Sequence, residues 1–207
     1  MKPKHILPFF FLLFFCVSCA HVGRAPEVLT TEERLSLAAI YESKGETDLA
    51  LHEYGRVAEE QENADAYFAI GNIHLRARNL KEAERNYLKA VKINPSNGAY
   101  RNNLGWLYME KGELGKAESS VREALRLDPA RGFVYLDTLG VIQTRRRDYA
   151  GAERSLTEAA RRAPAKDREG RIEIYTHLVD LYRVKGEIDK AVRIEERIRA
   201  LRQAAGG

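Results

Sequence analysis

Apolar residues recur along the chain in paired stripes at helical spacing, each pair broken by a short polar turn. The stripes are in register with a series of alanines. Ala50, Ala83, Ala117, Ala152 and Ala191 follow one another at intervals of 33, 34, 35 and 39 residues. Twelve positions before each stands Ala38, Gly71, Gly105, Gly140 or Val179, and one position earlier a large aliphatic: Leu37, Ile70, Leu104, Leu139 or Leu178. Four positions after come Tyr54, Tyr87, Val121, Leu156 and Glu195; seven after come Val57, Ala90, Ala124, Ala159 and Ile198. Pro95, Pro129 and Pro164 close the three central units, where a ring without an N–H cannot continue a helix. The turns hold Gly45, Arg78-Asn79, Gly112, Arg147-Asp148 and Gly186. This pattern predicts ten helices in five pairs, with small residues where the two helices of a unit approach. Thr30 to Glu33 and Asn79 to Glu82 have the form of capping boxes.

A set of residue types repeating at this period resembles the tetratricopeptide repeat, over residues 31–205 in units 31–63, 64–97, 98–131, 133–166 and 172–205. The resemblance implies an all-α, right-handed superhelical solenoid. A lone unit cannot bury its faces, so the ends should turn polar; Glu195 and Arg199 fit such a cap. The 39-residue step adds residues near Ala165 to Arg171, expected as a longer loop or a longer first helix.

The first twenty residues follow another rule. Lys2, Lys4 and His5 precede an apolar run from Ile6 to Val17. Twelve helical residues reach ~18 Å, short of the ~30 Å hydrocarbon core, so a signal peptide fits better than a spanning helix. Ser18-Cys19-Ala20 resembles a lipoprotein signal, with a small residue before the cysteine that takes the lipid; Cys16 stands where such signals usually carry Leu. That resemblance implies residues 1–18 removed, diacylglycerol on the Cys19 thiol and an acylated amine. Ala20 in the next position points to the outer membrane of a Gram-negative envelope, facing the periplasm. An ordinary cut near Ala20, or an uncleaved anchor, is the alternative. Residues 19–30 read as a tether; ten of them reach ~35 Å when extended.

Composition removes several classes. With 44% hydrophobic and 31% charged residues the 207-residue chain is foldable. Two cysteines, Cys16 and Cys19, exclude a disulfide framework. A net charge of +4 is small for a nucleic-acid binder. The five histidines form no HExxH pair, glycines form no phosphate loop, and no nucleophile elbow occurs. A non-enzyme without metal or cofactor is expected. His74 sits at a packing position, and Glu173, His177 and Asp180 read as a solvated helix face.

In the resembled family the first helix of each unit lines a concave groove. Carried over, its central positions hold Phe68, Asn72, Asn102, Trp106, Met109, Asp137 and Val141, an apolar strip with hydrogen-bonding groups that suits an extended or helical partner segment. Trp106, the only tryptophan, is the natural anchor or else a packing residue. A clamp for chaperone C-termini is not expected: Asn72 and Asn103 match it, but Phe68, Val134 and Thr138 stand where the resembled family needs basic residues. Residues 116–207 are basic, and Arg145, Arg146 and Arg147 form a patch able to meet an anionic polymer. The expected function is a protein-interaction scaffold of the envelope. Its nearest resemblance is to the repeat lipoproteins of type IV pilus secretin assembly, the pilotins. Docking of cell-wall hydrolases and binding of an anionic glycan are the alternatives.

Overall fold

The computed structural model describes residues 29–203. The expected signal, the expected lipidation site Cys19 and all but the end of the expected tether lie outside them. Ten α-helices follow one another: α1 (Thr31–Ser43), α2 (Thr47–Gln61), α3 (Ala64–Arg76), α4 (Leu80–Ile93), α5 (Gly98–Glu110), α6 (Leu114–Leu127), α7 (Gly132–Arg145), α8 (Tyr149–Arg162), α9 (Arg168–Lys185) and α10 (Ile188–Gln203). A 3-10 turn, Pro129–Arg131, precedes α7. Each odd helix packs on the even helix after it, each even helix on the next odd one, and α5, α7 and α9 touch in sequence. This is the expected solenoid of five helix pairs.

The alanine frame is the spine of the core. Ala50, Ala83, Ala117 and Ala152 are wholly buried and Ala191 is 2% exposed. The small residues twelve positions earlier lie directly under the large residues four positions later. A Cβ added at Gly71 would fall 2.6 Å from the Tyr87 ring, one at Gly105 2.4 Å from Val121 Cγ2, and one at Gly140 2.5 Å from Leu156 Cγ. The missing methyl lets a bulky side chain rest on the neighbouring backbone.

The turns repeat one hydrogen bond. Glu46 N–H donates to Tyr41 O, Asn79 to His74 O, Glu113 to Tyr108 O, Asp148 to Gln143 O and Glu187 to Tyr182 O, at 2.8–2.9 Å. This six-residue closure places the residue before the donor in the left-handed region. Gly45, Gly112 and Gly186 sit there at φ 75–77°, and so do Arg78 and Arg147 at 63° and 64°.

Two details depart from expectation, and between them one open choice is decided. Thr30 and Glu33 form the capping box, but Asn79 makes no side-chain cap, its backbone being held by the turn instead. The insertion before unit five lengthens its first helix: α9 runs 18 residues and starts at Arg168. The last unit is not wholly polar, since Val184, Ile188 and Val192 are 42–59% exposed. No described helix is long and apolar enough to cross a membrane.

Candidate partner-binding surface

The centre of the inner wall is built on α3, α5 and α7. Phe68 is half-buried between Tyr87 and Tyr100, with ring centroids 5.7 and 4.9 Å away. One turn on, Asn72 Oδ1 accepts from Tyr87 Oη at 2.7 Å and from Asn103 Nδ2 at 2.8 Å, joining units two and three. Burial pushes the Tyr87 hydroxyl up to about 12, so it stays a donor. Tyr100 donates to Asp65 at 2.5 Å and closes the wall below Phe68. Trp106 and Val141 pack against the cluster of Met109, Val121 and Tyr135, yet both stay partly open to solvent. The packing and exposed roles of Trp106 therefore coexist.

Three expected wall residues do not face solvent. Met109 is 2% exposed and belongs to the core, because α7 packs over it; Glu110, one position on, is half-buried and pairs with Arg78 and Arg145. Asn102 is 6% exposed, and its Oδ1 finds no partner among the described residues. Its neighbour Asn103 makes the inter-unit bond instead. Asp137 is 7% exposed and bonds His177 Nδ1 at 2.8 Å. His177 is thus not on a solvated face. Burial opposes its charge, but the bond to Asp137 and the charges of Asp137, Glu173 and Asp180 outweigh it and raise its pKa. One weak signal points to these contacts. The position fourteen before the frame alanine is polar in units three to five, as Asn103, Thr138 and His177.

The basic patch is largely compensated. Arg145 lies 3.5 Å from Glu110, and Arg146 pairs with Glu118. A depression of about 670 Å³ over the solvent face of α6 includes Arg101, Arg122, Arg126 and Arg146, with Glu118 and Glu123 among them. Arg122 and Arg126 bond those two carboxylates.

The tetratricopeptide repeat family model matches residues 35–97 and 68–131. Residues 35–131 thus carry tetratricopeptide repeats. Tetratricopeptide folds serve in general as scaffolds that bind other proteins. "Protein CTR9 homolog" of Arabidopsis thaliana is 33% identical over 111 residues, 50% of this chain and 10% of that protein. The chain spans about a tenth of the length of the curated relatives it matches. Among solved structures, PilW, titled a "widely conserved type IV pilus biogenesis factor", superposes with a TM-score of 0.75 at 16% identity, over 86% of this chain and 80% of that one. Pseudomonas aeruginosa pilF gives 0.65 at 18% identity, over 83% and 76%. These two likenesses show the fold.

Proposed function

We propose that this tetratricopeptide protein is a non-catalytic adaptor of a bacterial cell envelope that holds a partner polypeptide on the inner wall of units two to four. Trp106 carries the reading. The core behind it holds the indole in place while part of it stays open, on α5, with Phe68 and Asn72 on the neighbouring α3 and Val141 on α7. A pre-positioned tryptophan offers apolar area at small entropic cost, the usual property of an interface anchor. The Asn72–Asn103 pair beside it has amide groups suited to the backbone of an extended segment. The fold shared with PilW and pilF supports a partner in type IV pilus assembly. The lipobox-like sequence at Cys19 supports tethering by lipid at the outer membrane, facing the periplasm. The pairing of Arg145 and Arg146 with acids weighs against an anionic glycan as the main ligand.

The test compares the full chain with Trp106→Ala and Cys19→Ser variants in the native host. Trp106→Ala is expected to weaken capture of the pilus partner about tenfold or more, with helical content retained. Cys19→Ser is expected to move the chain from the membrane to the soluble fraction. Unchanged capture by Trp106→Ala ends the groove reading. Co-purification of cell-wall hydrolases in place of pilus proteins redirects it to the hydrolase alternative.

A further inference from the structure

At the junction of units four and five, α7 and α9 bring three ligating groups together. Asp137 comes from α7; Glu173 and His177 stand one turn apart on α9. One oxygen of each carboxylate and a ring nitrogen of His177 all lie within 4.8 Å of one another. Asp137 Oδ1 and His177 Nδ1 are already 2.8 Å apart. Asp137 is buried, His177 half-buried and Glu173 exposed, so the cluster is closed at its base and open at one side.

The charge around it is unbalanced. Three carboxylates, Asp137, Glu173 and Asp180, surround a single imidazole. Among the described residues no Lys or Arg forms an ion pair with any of the three; the cations of α9's last turn are committed elsewhere, Arg183 to Glu195 and Lys185 to Glu153 and Glu187. Buried carboxylates are normally paired with a cation or bound to a metal. One nitrogen and two oxygens suit a borderline first-row ion, and are too few oxygens for calcium. Tetrahedral ligands at ~2.1 Å from zinc stand ~3.4 Å apart, so binding requires the Asp137–His177 contact to open from 2.8 Å and the exposed Glu173 side chain to turn inward.

We propose that Asp137, Glu173 and His177 bind a divalent transition-metal ion of the zinc class, which clamps unit four to unit five and keeps a coordination position open to solvent. The ion takes the place of the proton between His177 and Asp137, and that proton leaves to solvent. The inference stands on side-chain placement and is independent of the groove reading.

The full chain, stripped with chelator, is titrated with Co²⁺ while visible absorbance is followed, and Zn²⁺ then displaces the cobalt. One saturable equivalent is expected. Glu173→Gln should weaken it at least tenfold, and Glu169→Gln, which removes the same charge from the same helix, should leave it unchanged. Zn²⁺ should raise the melting temperature of the parent and the Glu169→Gln chain, and not that of Glu173→Gln. Because Glu173 is exposed, its variant tests the ligand set even where Asp137→Asn disturbs the α7–α9 packing. The proposal is overturned by the absence of a saturable equivalent, or by its survival in Glu173→Gln. It is also overturned if a lysine-containing peptide binds without metal and is lost in Glu173→Gln, which would make the cluster a seat for a partner's cation.

Discussion

Where unit two meets unit three, Glu84 pairs with Lys111 at 2.7 Å; Glu118 then pairs with Arg146, and Glu153 with Lys185 at 2.5 Å. Each acid follows the frame alanine, and each cation lies six positions before the next one. Unit one has Leu51 in the acid's place and unit two has Ala77 in the cation's. Unit one also has an internal charge pair: Arg34 of α1 meets Glu53 of α2 at 2.7 Å, with the two side chains 8% and 14% exposed. Only Arg34 and Ala38 of α1 are buried, against nine residues of α7. The later junctions share this repeated pair, whereas the first is held by a different one, Glu42 of α1 with Arg76 of α3, and by an apolar cluster that runs from α1 and α2 into α3. In a stack governed by nearest-neighbour terms, a terminal unit with one neighbour and a first helix this little buried should open before the rest.

The largest effect expected from this contrast is at Arg34. Arg34→Ala leaves Glu53 nearly buried without a partner and should cost about 2–3 kcal/mol, felt by the amides of α1 and α2. Replacing both residues with apolar ones, Arg34→Met with Glu53→Leu, should restore most of it. Hydrogen exchange on the single and double variants decides the matter. Equal loss of protection in α9 would break the comparison.

The repeat was legible because it rests on steric rules with a fixed period: a small residue must lie under a large one, as Gly140 lies under Leu156. The inner wall was less legible. A helix position faces the groove only if the next helix does not cover it, and coverage is a tertiary matter. Met109 follows the family's rule and is still buried by α7. Asp137 and His177 are 40 residues apart, and neither alone signals a partner. The Arg34–Glu53 pair was missed because one arginine in an exposed-looking helix carries no periodic mark.

A smaller effect separates the last junction from the first by pH. Glu153 is held below the usual carboxylate range, first by the hydrogen bond from Lys185, against burial, with Tyr182 and Lys190 adding to it. Its folded pKa is depressed, so its contribution is complete above the unfolded value and is lost as pH falls through the folded one. Acid should therefore loosen the unit four–five junction, while the first junction lacks this pair. Glu153→Gln should cost on the order of 1 kcal/mol at neutral pH and remove this part of the acid response. Denaturant melts between neutral pH and pH 3, followed in both variant and parent, test it. An unchanged acid slope would show that the ion pair contributes nothing to the junction.

The smallest effect concerns the turns, where the units differ in another way. Units one, three and five use glycine at the left-handed position; units two and four use Arg78 and Arg147. A side chain with Cβ at such a φ costs roughly 1–2 kcal/mol, part of which glycine gives back through the greater freedom of its unfolded state. Arg147→Gly should therefore stabilise the chain by about 0.5–1 kcal/mol in chemical denaturation, since among the described residues Arg145 and Arg146 form ion pairs and Arg147 forms none to set against the gain. Arg78→Gly relieves the same strain but gives up the pair with Glu110, so its gain should be smaller. The difference between the two variants isolates that pair, because the turns share one backbone closure and nearly one φ. If both gain equally, the Arg78–Glu110 contact adds no stability, and the ion pairing between units two and three rests on Glu84 and Lys111.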